Sequence, residues 1–419
     1  IYEGVCKKLA DDRLESLFYD METPLCRVLY DMESSGFKID RAGLAEYGRQ
    51  LSSMQKQYEE RIYMLAGGEF NINSPQQLGE VLFDKLKLPA VKKTKTGYST
   101  NAEVLEKLRP YHPIIDEVLE YRKVAKLIGT YVEGLLKVAD EDGRIHTNFK
   151  QTGTATGRLS SAEPNLQNIP IRTELGHELR RYFIPCDGSH VLIDADYSQI
   201  ELRLLAHIAG DETMTNAFLS GEDIHASTAS AVFGVPLSAV TPELRKRAKA
   251  VNFGIVYGIG DYSLAMDLGI TKKQAGEYIE SYLARFHAID DYLKETVRLA
   301  YEHGYVETIF GRRRYIPELK ANNKNMRNFG ERVAMNSPIQ GSAADIIKLA
   351  MINTRGALAA AKLDARLILQ VHDELVVESA RACADEAAAI LRREMENAVH
   401  LTVPLSVDLT VGDTWYENK

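Results

Sequence analysis

Val191-Leu192-Ile193-Asp194-Ala195-Asp196 is a run of β-forming residues that ends on acids, and Tyr197-Ser198-Gln199 then opens a helix. An acid at the end of a buried strand is costly to desolvate unless something pairs with it. A second such place lies far downstream, in Leu367-Ile368-Leu369-Gln370-Val371-His372-Asp373-Glu374-Leu375-Val376-Val377, where two apolar arms flank polar residues. That pattern predicts a β-hairpin with His372 and Asp373 at its turn. Taken singly, strand-end acids are more often turn or cap residues. Brought to one place, two carboxylates are the minimum for a site holding Mg²⁺, a hard cation that takes carboxylate oxygens and completes its shell with water and phosphate. Two such ions about 3.5–4 Å apart activate an attacking hydroxyl and stabilise the leaving oxygen of an in-line displacement at phosphorus.

Outward from these strands the periodicity changes. Gln199 to about Leu363 is patterned as helix, with one β-like stretch near Tyr305–Tyr315; further strands are expected at Arg181–Ile184 and Leu401–Val411, and a helix around Cys383–Val399. Two strand regions flanking a helical insertion imply a sheet assembled from distant segments. Toward the N-terminus, Leu14, Leu17, Phe18, Leu25, Val28 and Leu29 fall at helical spacing before the turn at Ser34-Ser35-Gly36. A long amphipathic helix ending at Gly67-Gly68, a short helix through Leu78 and Leu82, and a helical pair over about 101–138 make the first third mostly helical.

At 419 residues, and with roughly 100–200 residues per domain, two to four units are expected. Hydrophobic residues at 45% and charged residues at 26% place the chain among globular proteins. No apolar run approaches the roughly 20 residues of a membrane span. Cys6, Cys26, Cys186 and Cys383 form no C-x-x-C pair, which suggests neither a zinc knuckle nor a disulfide framework and fits a reducing cytoplasm. A net charge of −8 argues mildly against a nucleic-acid partner, but cations cluster at Lys85, Lys87, Lys92, Lys93 and Lys95 and at Arg312-Arg313-Arg314. Taken alone, each cluster reads as a solvated face. The chain begins at Ile1, which reads as a fragment of a longer one.

Thr241-Pro242-Glu243 is a helix start, and Arg245, Lys249, Phe253 and Tyr257 follow at intervals of four. Four residues turn a helix by about 400°, so these side chains share one broad face. Two cations and two aromatics suit a triphosphate at one end and a base at the other; a basic exposed start with an aromatic core end is the plainer alternative. The stretches Thr154-Ala155-Thr156-Gly157-Arg158-Leu159-Ser160-Ser161 and Pro164-Asn165-Leu166-Gln167-Asn168-Ile169-Pro170 are dense in amide and guanidinium groups, which suit sugar oxygens and minor-groove acceptors or, equally, a surface loop.

Asp196-Tyr197-Ser198-Gln199-Ile200-Glu201-Leu202-Arg203 and His372-Asp373-Glu374 resemble the first and third palm motifs of family A DNA polymerases, and Arg245 to Gly258 resembles their fingers motif. The two amide-rich stretches, and Arg332, Asn336 and Gln340 before Gly341-Ser342-Ala343-Ala344-Asp345, match further segments in the family's order. The resemblance spans nearly the whole chain from about residue 25. It implies an α+β right-hand architecture with an antiparallel-sheet palm, helical fingers and a helical thumb: a remnant N-terminal helical segment at 1–40, thumb at 41–139, palm at 140–206 and 345–419, and fingers at 207–344.

By the same resemblance, two Mg²⁺ ions are held by Asp196, Asp373 and the Tyr197 carbonyl, Glu374 is a nearby acid counted with those aspartates as catalytic, and Asp194 is structural. Arg245, Lys249 and His225 contact the incoming triphosphate, and Lys249 also counts as catalytic. Phe253 packs on the nucleotide, Tyr257 stacks near the templating base, and Gln199 and Glu201 complete the nucleotide site, Glu201 as the gate that excludes a 2′-hydroxyl. Arg158, Asn165, Gln167, Asn168, Arg332, Asn336, Gln340 and His372 touch the duplex, and the lysine-rich loop at 85–95 meets phosphates from the thumb. The implied activity is template-directed addition of deoxynucleotides to a primer 3′-hydroxyl with release of pyrophosphate. The implied partners are primer–template DNA and dNTPs, and a monomer in the bacterial cytoplasm, at the nucleoid, is expected. The competing readings are a single-subunit RNA polymerase, against which Glu201 and the Thr154–Ser161 loop speak, and a catalytically silent DNA-binding module. Asp20-Met21-Glu22-Thr23 imitates the D-x-E start of the family's proofreading domain. It lacks the strand context of that start and is expected to be a coincidence, with no 3′ exonuclease in the chain.

Overall fold

The acid-ended strand lies inside a four-stranded antiparallel sheet. Its strands are β1 (His190–Tyr197), β2 (Ala365–Val371), β3 (Glu374–Ala380) and β4 (Val407–Gly412), in the order β2-β3-β1-β4. Val191 to Ala195 are buried without a break, the pattern of a strand covered on both faces. The computed structural model describes residues 2–90, 93–94, 97–171 and 173–417. The sheet belongs to a unit made of Ile1–Gly36, Thr147–Gln167 and Pro185–Lys419, and a second unit comprises Phe37–His146 and Asn168–Ile184.

Among the helices of the first unit are α1 (Ile200–Ala209), α2 (Pro242–Val256), α3 (Lys324–Ala360) and α4 (Ala384–Glu396). α4 covers one face of the sheet with Ala387, Leu391 and Met395, all fully buried, and the Tyr197 hydroxyl donates to the Met395 carbonyl at 2.7 Å. The 37-residue α3 carries Pro338 in its interior and Gly341 at a close approach. A Cβ on Gly341 would lie 2.6 Å from the Thr308 methyl and 3.2 Å from the Thr156 carbonyl, so only glycine lets those segments pack here.

The second unit is built on the helix Arg41–Ala66. Asp40 caps it by accepting from the Gly43 amide at 3.0 Å, and Gly67 ends it in the left-handed region at φ 69°. Its end packs with Ile114–Lys126 around Ile62, Leu78, Leu82, Leu105, Leu108, Ile115 and Val118. Phe37–Ile39 pairs antiparallel with both Arg144–Ile145 and Phe183–Ile184.

Two strands are shorter than the sequence predicts. Leu179–Tyr182 is a tight helical turn, leaving only Phe183–Ile184 extended, and β4 begins at Val407, after Pro404 has removed a ladder donor. Among the described residues no helix is long and apolar enough to cross a membrane.

Candidate active site

β1 and β3 bring the two acids together. Asp196 lies directly opposite Glu374 on β3 and Asp408 on β4, and the Tyr197 amide donates to the Asp373 carbonyl at 3.1 Å. In an antiparallel ladder the N–H and C=O of one residue face the same neighbour, so the Tyr197 carbonyl lies on the Asp373 side. Directly opposed residues also share a sheet face, which groups the side chains of Asp196, Glu374 and Asp408.

The turn between β2 and β3 has two residues. His372 takes its first position at φ 53°, and the Gln370 side-chain amide donates to the His372 carbonyl at 2.7 Å. Where β1 passes into α1, Gln199 is left-handed as well, at φ 57°. Both chain reversals beside the acids thus hold non-glycine residues in a strained region, which persists only where the surroundings impose it.

A cavity of about 500 Å³ opens against these strand ends. It is lined by Asp373, Asp408, His372, Tyr197 and Gln199 from the sheet and the turn into α1, and by Arg245, Lys249, Phe253 and Tyr257 from α2 and the residue after it. The predicted helix start is present, with Thr241 Oγ1 accepting from the Leu244 amide at 3.2 Å. The helix ends one residue earlier than its periodicity suggests: Tyr257 is the residue after Val256, at φ −89°, followed by Gly258 in the left-handed region. Arg245 is paired with Asp223 at 2.5 Å, whereas Lys249 has its Nζ 5.9 Å from the Phe253 ring centre and no carboxylate in ion-pairing reach among the described residues.

His225 also lines the cavity. Thr228 donates to Asn252 Oδ1 at 3.1 Å, which turns the Asn252 NH₂ to His225 Nδ1 at 2.9 Å and leaves the imidazole proton on Nε2. Burial, helped by Arg245, pushes the His225 pKa down to about 4. A neutral N–H donor beside two cations suits phosphate oxygens.

Glu201, only 7% exposed, accepts from Arg158 Nη2 at 2.9 Å and from the Tyr257 hydroxyl at 3.4 Å. Burial raises the Glu201 carboxyl above its usual range against the pull of Arg158, and burial followed by the Glu201 charge pushes the Tyr257 phenol up to about 12.

The remaining predicted residues fall outside the cavity lining. Asp196 is half-buried behind it, and Glu374, 2% exposed, accepts from Trp415 Nε1 at 2.8 Å. Gln167 braces the β2–β3 hairpin, its amide donating to Gln370 at 3.0 Å while its Oε1 accepts from the Ser161 amide at 3.0 Å. Asn165 is exposed; Asn168, also exposed, belongs to the second unit. Arg332, Asn336 and Gln340 rise along α3, where Asn336 donates to the Val256 carbonyl at 3.5 Å and Gly258 packs against Arg332. In the lysine-rich stretch Lys85 donates to the Gly67 carbonyl at 3.0 Å, and Lys92 and Lys95 lie outside the described residues. Sequence reading missed Asp408, whose only local signal is an acid alternating with apolar residues in Leu405–Val411.

The sequence pattern of DNA polymerase family A matches residues 41–417. This chain belongs to DNA polymerase family A. It is 54% identical over 404 residues to DNA polymerase I of Caldicellulosiruptor bescii, covering 96% of this chain and 47% of that protein, and 52% identical over 418 residues to DNA polymerase I of Geobacillus stearothermophilus, covering 100% and 48%. The chain thus spans about half the length of these family A relatives. Among solved structures it resembles the POL domain of Pol1 from M. smegmatis in complex with DNA primer-template and dNTP, with a TM-score of 0.93 at 45% identity over 98% of this chain and 73% of that one. The α+β fold is therefore that of a family A polymerase domain.

The cation run at 312–314 is not a solvated face. Arg312 Nε donates to Asp345 Oδ1 at 2.7 Å and its Nη2 to Glu22, and Arg313 pairs with Asp12 at 2.8 Å and Glu307 at 2.9 Å. Acids distant in sequence fold onto these guanidinium groups, which no local pattern reveals.

Proposed function

We propose that the chain catalyses template-directed DNA synthesis, transferring dNTPs to a primer 3′-hydroxyl. The observation that carries this reading is the cavity itself, which gathers Asp373, from the hairpin turn bonded to the Asp196-bearing end of β1, with Arg245, Lys249 and His225 in one space lined also by Phe253 and Tyr257. A magnesium triphosphate meets acids and cations in that arrangement, with an aromatic surface for its base. Thumb, palm and fingers follow the divisions 41–139, 140–206 with 345–419, and 207–344, and a monomer acting at the bacterial nucleoid is the simplest setting.

Asp196, Asp373 and the Tyr197 carbonyl would hold two Mg²⁺ ions. All three offer hard oxygen donors, and the Tyr197–Asp373 backbone bond keeps them in one register. When bound, the ions supply charge stabilisation to both the attacking and the leaving oxygen. The protein's own groups do the rest. Lys249 and Arg245 hold the triphosphate, Arg245 exchanging Asp223 for phosphate, and His225 donates from Nε2. Lys249 also neutralises the leaving pyrophosphate. Phe253 packs on the nucleotide, Tyr257 stacks beside the templating base, and Gln199 and Glu201 border the sugar. Arg158, Asn165, Gln167, Asn168, Arg332, Asn336, Gln340 and His372 grip the duplex through contacts that carry little sequence information. Glu374, tied to Trp415, anchors the hairpin that carries Asp373.

The D-x-E lookalike has no role in proofreading under this reading. Asp20 and Glu22 lie on the helical turn Leu17–Glu22, Asp20 accepts from Ser16 at 2.6 Å, and Glu22 is consumed by Lys348 and Arg312. Primer extension with Mg²⁺ and either deoxy- or ribonucleotides tests the proposal. Extension by dNTPs alone is expected; extension by rNTPs would favour an RNA polymerase, and duplex binding without extension a silent binding module.

A further inference from the structure

The Glu22 carboxylate, at the end of an N-terminal helical turn, sits in a buried ionic cluster. Oε1 accepts from Lys348 Nζ at 2.6 Å and from Arg312 Nη2, and Oε2 accepts from the Gln151 amide at 2.8 Å. The Lys348 side chain is fully buried, as is that of Asp345, which takes Arg312 Nε at 2.7 Å and the Thr308 hydroxyl at 2.8 Å. Although burial works against the charged form, Lys348 and Arg312 hold the Glu22 carboxyl below the usual carboxylate range.

This cluster bears on the proposed nucleotide site through the 151–158 loop. Gly157 stands at φ 82°, and a Cβ there would come 2.6 Å from Arg312 Cδ and Nε, so the loop lies directly against the clamped guanidinium. The next residue is Arg158. Its carbonyl accepts from the Thr154 hydroxyl at 2.7 Å, closing the loop, and its Nη2 reaches Glu201 at 2.9 Å. Gln151, held by Glu22, begins the same loop.

We propose that Glu22 is a positioning residue for sugar selection: by fixing Arg312 and Gln151 it holds the 151–158 loop in place, and the loop sets Arg158 on Glu201. The selection half of this inference rests on the polymerase reading; the positioning half does not. Asp31 supplies a control, since it lies on the helix Thr23–Ser35 that directly follows Glu22 and accepts from Arg355 Nε at 2.6 Å, joining that helix to α3 without touching the loop.

The test compares Glu22→Gln, Glu22→Asp and Asp31→Asn with the parent chain in two measurements. In limited trypsin digestion of the native protein, cleavage after Arg158 is expected to rise about three- to tenfold in Glu22→Gln, because cleavage follows the open population of a segment, and to stay unchanged in Asp31→Asn. In competition between deoxy- and ribonucleotides, the ratio of kcat/KM values is expected to fall by a similar factor in Glu22→Gln and to show no further change when Glu22→Gln is added to Arg158→Ala, as for residues acting through one network. Glu22→Asp keeps the charge with a shorter reach and should show both effects at smaller size, so it carries the test should Glu22→Gln not fold. Unchanged cleavage after Arg158 in the folded Glu22 variants overturns the positioning role whether or not the protein polymerises. A Glu22 effect on the ratio that persists in full without Arg158, or that Asp31→Asn reproduces, overturns the selection role. A parent chain that extends no primer, with cleavage behaving as expected, refutes the polymerase reading and with it the selection role, leaving the positioning role standing.

Discussion

The cavity beside β1 and the cluster around Arg312 are made of the same residue types put to opposite use. In the cluster Arg312 and Lys348 are matched against Glu22 and Asp345, and all four are largely removed from water. In the cavity Lys249 and Asp408 stand without an ion-pair partner among the described residues, both lining a space large enough for a nucleotide. Charge matched inside the protein holds the scaffold, while charge left facing a cavity is capacity for a ligand. Whether Lys249 would prove scaffold, or Arg312 a ligand contact, decides if this contrast is sound.

The largest effect is expected on the cavity side. Asp196→Asn should lower the rate of primer extension about a thousandfold or more, the loss of several kcal/mol of charge stabilisation, with duplex affinity little changed in a filter-binding assay. Next comes the direct exchange between the two regions. Glu22→Gln leaves Arg312 and Lys348 short of a buried counter-charge and should cost about 3 kcal/mol in denaturant unfolding. Lys249→Gln should leave stability within about 0.5 kcal/mol while lowering kcat/KM for dNTPs about a hundredfold. Equal stability losses in the two variants would break the comparison.

Smaller shifts are expected at the sugar. Glu201→Ala should raise relative ribonucleotide incorporation, and Phe253→Tyr should relax discrimination against dideoxynucleotides, each by about tenfold or more in kcat/KM ratios. Unchanged ratios in both would remove these residues from sugar selection. The smallest effect is a pH slope. Because the folded His225 pKa is about 4 against an ordinary 6.5, the unfolded chain binds more protons between those values, and stability should rise with pH across that window. His225→Gln should flatten that rise when unfolding is measured at pH 4.5 and pH 7.

How much the sequence discloses depends on the range of the forces involved. The β2–β3 hairpin and the cap at Thr241 are local, set by two apolar arms around His372-Asp373 and by a hydroxyl three residues from the amide it accepts, and both were legible. The helical spacing that put Arg245, Lys249 and Phe253 on one face overran by one residue, because Gly258 turns the chain at Tyr257. Asp408 was hidden: its place opposite Asp196 depends on strand order, which local alternation does not encode. The burial of Arg312 is hidden for the same reason, since its partner Glu22 lies 290 residues away and the run of arginines looks identical with or without it.

The central claim is that the two strand-end acids perform chemistry rather than binding. Rapid-quench extension of a primer by one matched dNTP in Mg²⁺, run beside duplex-affinity measurements for the parent chain and Asp373→Asn, tests it directly. The account predicts that the parent extends the primer and that the variant binds the same duplex with nearly unchanged Kd but adds no nucleotide on the parent's time scale. Near-normal extension by Asp373→Asn would contradict it.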